Sequence, residues 1–295
     1  MTQIDNIGKK HDLTVLAIDT STAVIACAVT QGNAVLAEIQ SLAERNHSVN
    51  AIIHLQQLLE RSQKNKEQLD VIAVGHGPGS YTGMRIAVTA AKTLAWVWDK
   101  PLIGISSLEA VAYGGWQSGL ARAVQPDAGE SAQTIHIVKP KQNEEHWILP
   151  VMDARRGQIY GAAFSGHSDG SWSRMKEDGV LLMLDWVDVM LSRLAEESKR
   201  GIAIHIWVVG DLSMHEEQAN RLRTEAALIS SGTVVTLMPY ALEGRWIAEL
   251  ARKQLADGLP YSTGAEIHSF APNYTQLTEA EVKLKEKHAL ERSGR

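Results

Sequence analysis

The distribution of apolar residues along the first third of the chain predicts short strands that alternate with amphipathic helices. Runs rich in β-branched and apolar residues predict strands, and apolar residues on one helical stripe predict helices. A continuously apolar run such as 69–75 is typical of a strand that is buried on both faces. The predicted elements are strands at 13–19, 22–30, 33–40, 69–75 and 101–106 and helices at 48–62 and 82–98. Their order is β-β-β-α-β-α-β.

The second half of the chain repeats this order. A strand that ends in Asp153, a short polar turn and a further strand occupy 146–166. A strand that ends in Asp19, the polar turn 19–22 and a further strand open the chain in the same way. The remaining predicted elements are helices at 185–198, 214–228 and 240–256 and strands at 202–210 and 233–239. Sequential duplication of a β-β-β-α-β-α unit predicts an α/β protein of two lobes with a cleft between them.

The duplication also suggests where the lobes begin and end. We assign residues 1–112 to the first lobe and residues 113–295 to the second. Residues 116–145 are rich in Ser, Gly, Pro and Gln and predict an extended surface loop. The charged C-terminal tail lacks a clean apolar stripe and predicts a solvated end.

Composition narrows the class of protein. The 295 residues are 44% hydrophobic and 21% charged, with a formal net charge of -5, which is ordinary for a globular protein without a global attraction for nucleic acid. The single cysteine, Cys27, excludes a disulfide framework. No apolar run is long enough for a secretory leader or reaches the roughly 18–20 residues of a membrane span. We therefore expect a cytoplasmic protein.

A glycine-rich turn joins the strand 69–75 to the helix 82–98. It does not match the Walker A loop, the dinucleotide fingerprint or the nucleophile elbow, because its glycines have the wrong spacing and no Lys-Ser/Thr pair follows. Glycines still permit close backbone approach, and Ser80 or Thr82 can cap the helix. A helix N-terminus reached in this way can bind an anion or can simply connect two elements. The residues of the turn leave both interpretations open.

The polar turns after the first strand of each half have the same two interpretations. An Asp at the end of a strand, followed by hydroxyl residues, can hold a metal–phosphate pair or can close an Asx turn. In the second half, Arg155 and Arg156 replace the hydroxyl residues, and they can pair with Asp153 or bind an anion in the cleft.

Several stretches resemble one family in the same order along the chain. They are LAIDTST, VIAVGHGPGSYTGMRIAVTAAKTLA, PLIGISSLEAVA and DARRGQIYGAAF. Together they resemble the TsaB (YeaZ-type) family of the bacterial tRNA threonylcarbamoyladenosine (t6A) machinery, closely over 13–113 and well over 147–165. The resemblance implies the actin/hexokinase/Hsp70-like (ASKHA) fold. It also implies the partners TsaD, which is the catalytic paralogue, and TsaE, which is an ATPase, with tRNA contacted only through the complex.

The resemblance implies a subunit without its own catalytic site. TsaD-type enzymes carry H-x-x-x-H on the helix after the strand PLIGIS, where this chain has Ser107 and Val111, so no metal is expected. VVGDLS offers one glycine where an adenosine-binding turn of this fold usually offers two, so no cofactor is expected and only weak ATP or ADP binding is left open. The candidate remnants of a phosphate site are Asp19, Thr20, Ser21, Thr22, Gly77, Gly79, Ser80, Thr82 and Gly83.

The leading hypothesis is therefore a dimerisation subunit. It would support TsaD in transferring the threonylcarbamoyl group to N6 of adenosine 37 in tRNAs that read ANN codons. The alternative is a free-standing ATP-binding phosphotransferase of the same fold; a metallopeptidase is disfavoured by the missing H-x-x-x-H.

The resemblance implies that helices 48–62 and 82–98 pair with their counterparts in TsaD as a four-helix arrangement. Without TsaD, a homodimer through the same surface is the default. Small residues along helix 82–98 would let another helix approach closely. The alternative is that these stripes face the lobe's own sheet. The candidate interface residues are Val49, Ile52, Ile53, Leu55, Ala87, Ala90, Ala91 and Leu94.

Overall fold

A computed structural model describes residues 12–42, 47–124 and 133–275. The strands are β1 (Thr14–Asp19), β2 (Val24–Gln31), β3 (Ala34–Leu42), β4 (Val71–Gly75), β5 (Leu102–Ile105), β6 (Glu144–Asp153), β7 (Gln158–His167), β8 (Trp172–Leu182), β9 (Ala203–Gly210) and β10 (Val234–Pro239). The helices are α1 (His47–Ser62), α2 (Tyr81–Val97), α3 (Ser107–Val124), α4 (Met183–Glu197), α5 (Glu216–Ile229) and α6 (Gly244–Ala256). None of these described helices combines the length and apolar character needed to cross a membrane.

The strands form two five-stranded mixed sheets of the same topology. The first sheet has the order β3-β2-β1-β4-β5 and the second has the order β10-β9-β6-β7-β8. In each sheet the first strand is antiparallel to the second and parallel to the fourth. The predicted duplicated α/β fold is therefore confirmed. The central strands β1 and β4 are buried along their whole length, which explains their continuous apolar runs.

Each half sends its last helix to the other half's sheet. Helix α3 packs on β6, β7 and β9, and helix α6 packs on β1 and β2. One hydrophobic core therefore contains residues of both sheets, such as Ala17 and Phe164. An ion pair between Arg245 on α6 and Glu38 on β3 reinforces the contact of α6 with the first sheet, and both side chains are largely buried.

The prediction of an extended loop over 116–145 is wrong for its first part, because residues 116–124 are the end of α3. Trp116 and Leu120 of this part are buried against the second sheet, and Gln117 bonds the backbone of Val138. Apolar residues are spread around α3, since it lies between the two sheets, and this removes the one-sided stripe by which a helix is recognised. Residues 125–132 lie outside the described residues.

Further predictions either differ from the structure or concern residues that it does not describe. The boundary proposed between residues 112 and 113 falls inside α3. Strand β8 was not assigned residues from the sequence, because most of its residues are half-buried and polar and apolar types are mixed. The polar N-terminal residues 1–11 and the tail after residue 275 lie outside the described residues.

Candidate functional site

The turn after β1 is organised around the buried carboxylate of Asp19. Its Oδ1 accepts hydrogen bonds from the backbone N–H and the hydroxyl of Ser21 at 2.5 and 2.7 Å. Its Oδ2 accepts one from the Ser107 hydroxyl, at the start of α3, at 2.5 Å. Burial raises the pKa of Asp19, and the hydrogen bonds from Ser107 and Ser21 oppose that rise. Both carboxylate oxygens of Asp19 are thus bonded to groups of the protein itself.

The glycine-rich turn before α2 packs directly on the Asp19 turn. The backbone N–H of Ser80 donates to the carbonyl of Ser21 at 2.8 Å, and the Thr20 hydroxyl donates to the carbonyl of Gly83 at 2.5 Å. A Cβ at Gly79 would overlap the Ser21 carbonyl, and a Cβ at Gly83 would overlap the Thr20 carbonyl. Glycine is needed here because two backbones touch.

Several N–H groups of this turn, those of Gly77, Ser80 and Gly83 among them, are bonded within the protein. Gly77 donates to the Ser107 hydroxyl at 3.0 Å, and Gly83 donates to the Ser80 hydroxyl at 3.3 Å, which makes Ser80 the N-cap of α2. A phosphate cradle needs free N–H groups that point at the ligand. These donors are instead used to join the turn to α3 and to begin α2.

The structure brings together most of the residues that were predicted as remnants of a phosphate site. Two of them lie elsewhere. The hydroxyl of Thr22 bonds the backbone of Val24 within its own turn. Thr82 is exposed on the first turn of α2 and faces the outer surface of the lobe.

The positions that carry H-x-x-x-H in TsaD-type enzymes do not fit a metal ion here. Ser107 is fully buried and its hydroxyl is held between Asp19 and Gly77. Val111 is buried near Gly210 at the base of the cleft. Within the described ranges no group of three His, Cys, Asp or Glu side chains is arranged to hold a metal.

The turn after β6 repeats one hydrogen bond of the turn after β1. Asp153 Oδ1 accepts the N–H of Arg155 at 3.2 Å, as Asp19 Oδ1 accepts that of Ser21, and also contacts Nε2 of buried His215 at 3.1 Å. Arg155 and Arg156 both have positive φ, 68° and 54°, and are exposed. Asp153 therefore closes an Asx turn, as one of its two interpretations predicts.

A groove of about 550 Å³ lies on the outer surface of the first lobe, between α1 and α2. Ile52 on α1 is 55% exposed beside it. Its lining residues are Ile52, Tyr81, Thr82, Arg85, Ile86, Thr89, Ala90, Thr93 and Leu94. The groove is thus mostly apolar, with one cation at Arg85.

The predicted interface residues divide into two sets. The prediction is wrong for Leu55, Ala87 and Ala91, because these side chains are buried in the core beneath the helices. The remaining described residues face outward or line the groove: Ile52, Ile53, Ala90 and Leu94. Val49 lies in α1, and its side chain is outside the described residues. The small residues of α2 permit close packing on the lobe's own sheet.

The equivalent surface of the second lobe has a different chemistry. There α4 and α5 take the places of α1 and α2 in the duplicated order. Arg221 on α5 pairs with Asp188 on α4 at 2.5 Å and with Glu225 at 2.8 Å. The ion pair between Arg221 and Asp188 thus joins the outer faces of these two helices, whereas a mostly apolar groove separates those of α1 and α2.

Comparisons with known proteins agree with this architecture. The family model for TsaD, tRNA N6-adenosine threonylcarbamoyltransferase, matches residues 35–132. Over 271 residues the chain is 30% identical to the tRNA threonylcarbamoyladenosine biosynthesis protein TsaB of Bacillus subtilis, which covers 92% of this chain and 97% of that protein. The chain belongs to the TsaB family. It is also 29% identical to TsaB of Escherichia coli, over 57% of this chain and 62% of that protein.

A solved structure supports the fold of this TsaB-family chain. YeaZ from Pseudomonas aeruginosa superposes with a TM-score of 0.59 and 19% identity, over 89% of this chain and 99% of that chain. At 19% identity, this structural similarity supports the fold alone.

Some residues of the site were not found from the sequence. Ser107 links Gly77, which lies 30 residues earlier in the chain, with Asp19, which lies 88 residues earlier. Tyr81, Arg85 and Thr89 line the groove but do not lie on the apolar stripe of α2. Their exposed face becomes visible only once the buried face of α2 is known.

Proposed function

We propose that this TsaB-family chain acts in the synthesis of t6A in tRNA, as a non-catalytic subunit that binds TsaD through the outer faces of α1 and α2. The observation that carries the proposal is the mostly apolar groove between these helices. Both groove helices lie within the region that matches the TsaD family model, so two related lobes could pair by equivalent surfaces.

The difference between the two lobes supports this assignment of the interface. Apolar surface with a few aromatic and arginine side chains is typical of the centre of a protein interface. The groove has this composition, whereas the equivalent helices of the second lobe are joined by the ion pair of Arg221 with Asp188. We therefore expect TsaD to bind the first lobe and to leave the second lobe exposed.

The inward-directed turns support a non-catalytic role. The donors that a nucleotide phosphate would need at Gly77, Ser80 and Gly83 are bonded to protein groups. We propose that this chain needs no cofactor and binds ATP or ADP at most weakly. In this proposal TsaD supplies the catalytic site, the ATPase TsaE joins the complex, and tRNA is contacted only through it. A homodimer through the groove is expected when TsaD is absent.

A matched pair of variants tests the proposed interface. Thr93 on α2 and Thr224 on α5 are both exposed, and each hydroxyl bonds the carbonyl four residues earlier, at 2.9 and 3.0 Å. Thr93→Arg places a charged side chain in the groove and should abolish the complex with TsaD on gel filtration. Thr224→Arg should leave it intact. Equal binding by both variants would contradict the proposed interface.

Nucleoside mass spectrometry of total tRNA tests the function in cells. Loss of this chain should remove t6A from tRNAs that read ANN codons, and the Thr224→Arg variant should restore it while Thr93→Arg should not. Unchanged t6A after loss of the chain would contradict the proposed function.

A further inference from the structure

A segment after α6 returns to the first lobe and follows α2. We name residues 262–275 the C-terminal strap. It begins where Ser262 and Leu102 exchange two backbone hydrogen bonds of 2.9 Å at the edge of the first sheet. In its middle, Lys92 Nζ on α2 donates to the carbonyls of His268 and Phe270 at 2.8 and 2.7 Å. The strap is thus bonded to α2, the helix that supplies most of the residues lining the groove.

The strap places a ring against each end of α2. The His268 ring lies 4.2 Å from the ring of Trp96, and the Tyr274 ring lies 5.4 Å from the ring of Tyr81. Trp96, Tyr81 and Tyr274 are 50%, 48% and 43% exposed. Tyr81 also lines the groove, and the Arg85 guanidinium lies 5.0 Å from the centre of its ring. The Tyr274 ring therefore extends the surface of the groove at its Tyr81 end, and the His268 ring lies against Trp96 at the other end of α2.

The second lobe helps to set the position of this surface. The N–H of Asn273 donates to the carbonyl of His76 at 2.8 Å, and its side-chain amide donates to Asp178 on β8 at 3.2 Å. Asp178 is nearly buried and is paired with Arg174 at 2.6 Å. Tyr274 follows directly after this anchor, so its ring is held while its face remains open to solvent.

We propose that the C-terminal strap is part of the surface that binds TsaD, with Tyr274 and His268 as specificity-determining contacts at the two ends of α2; this inference rests on the proposed function. Aromatic and arginine side chains in well-packed positions contribute most of the binding energy of an interface. Held rings lose little conformational freedom on binding. The partner surface that fits is an apolar helix face across the groove, with a carboxylate opposite Arg85 at the Tyr81–Tyr274 end.

Titration calorimetry of the full chain with TsaD tests this role. Tyr274→Ala should raise the dissociation constant at least about tenfold, as expected of a large, well-packed aromatic contact. His268→Ala should raise it at least about threefold, because its ring is smaller. Leu259→Ala removes a half-exposed apolar side chain that precedes the strap and does not line the groove, so it should bind like the wild type.

The outcomes separate the strap from the groove. Dissociation constants within twofold of wild type for both strap variants, with binding still lost in Thr93→Arg, would overturn the role of the strap and leave the proposed function standing. Failure of the wild type to bind TsaD would overturn both.

Hydrogen–deuterium exchange tests the same role on the unmodified chain, so no substitution can disturb its folding. TsaD should slow exchange over 267–275 as well as in α2, and protection confined to α1 and α2 would overturn the inference.

Discussion

The Ser107 hydroxyl donates a 2.5 Å hydrogen bond to the carboxylate of Asp19, and both residues are fully buried. The same hydroxyl accepts the N–H of Gly77 at 3.0 Å. One small side chain therefore joins the end of β1, the glycine turn and the start of α3.

Removal of this hydroxyl should destabilise the protein. Ser107→Ala leaves the buried Asp19 carboxylate without one donor and Gly77 without its acceptor, which should lower the free energy of unfolding by about 2–4 kcal/mol. Urea denaturation measures the change. Ser192→Ala, which removes an exposed hydroxyl bonded to the carbonyl of Asp188, should cost less than about 0.5 kcal/mol. Similar midpoints for the two variants would show that Ser107 has no special role.

The close approach of the two turns gives a second stability prediction. The Cβ of Gly83→Ala would overlap the Thr20 carbonyl, and both groups are backbone-anchored, so the variant should lose about 1–3 kcal/mol or more. Gly232→Ala is the control, since a Cβ there meets nothing closer than 4.0 Å. Thermal unfolding should show a lower midpoint for Gly83→Ala alone. A wild-type midpoint for Gly83→Ala would mean that the turns do not touch.

The buried face of α2 gives a third prediction. Ala91 is fully buried against the first sheet, so Ala91→Arg forces a charge into the core and should cost about 3–5 kcal/mol. Thr93→Arg, two residues later on the exposed face, should cost less than about 0.5 kcal/mol. Urea denaturation of both variants reads out the difference. A stable Ala91→Arg protein would place the alanine face of α2 at the surface.

The histidines in the core of the second lobe predict a loss of stability in acid. Nδ1 of buried His146 accepts the indole N–H of Trp116 at 2.9 Å and that of Trp207 at 3.2 Å, so it carries no proton. Burial lowers the pKa of His146, against the pull of Glu144, and burial beside His146 lowers the pKa of His205 from 6.5 to about 4. As the pH falls from 6.5 towards 4, the unfolded chain takes up protons that the folded protein excludes. The free energy of unfolding should therefore fall with pH across this window.

Urea denaturation at several pH values checks this dependence. In the variant His205→Gln the slope between pH 6.5 and pH 4 should be shallower, since one of the excluded protons is removed. Parallel slopes in the wild type and in His205→Gln would contradict the assignment to His205.

Apart from the end of α3 and from β8, the order of elements was determined locally and could be read from the sequence. Continuous apolar runs predicted β1 and β4, since strands buried on both faces contain few polar residues. The repeated strand–Asp–turn–strand pattern predicted the duplication, and the two sheets of the same topology confirm it. Asp19 and Asp153 each accept the backbone N–H two residues later. Ser80 could likewise be predicted as a candidate N-cap of α2, because capping depends on residues that are close in sequence.

Only the tertiary structure decided which face of each helix is buried and which long-range partners meet. The alanines of α2 were compatible with the sheet or with a partner, because a small apolar side chain has no preference between two apolar surfaces. Helix α3 showed no one-sided stripe because it lies between two sheets. The contacts of Ser107 with Asp19, and of Tyr274 with Tyr81, join residues 88 and 193 positions apart. Contacts over such separations arise from the crossing of elements, and no local pattern of residues encodes them.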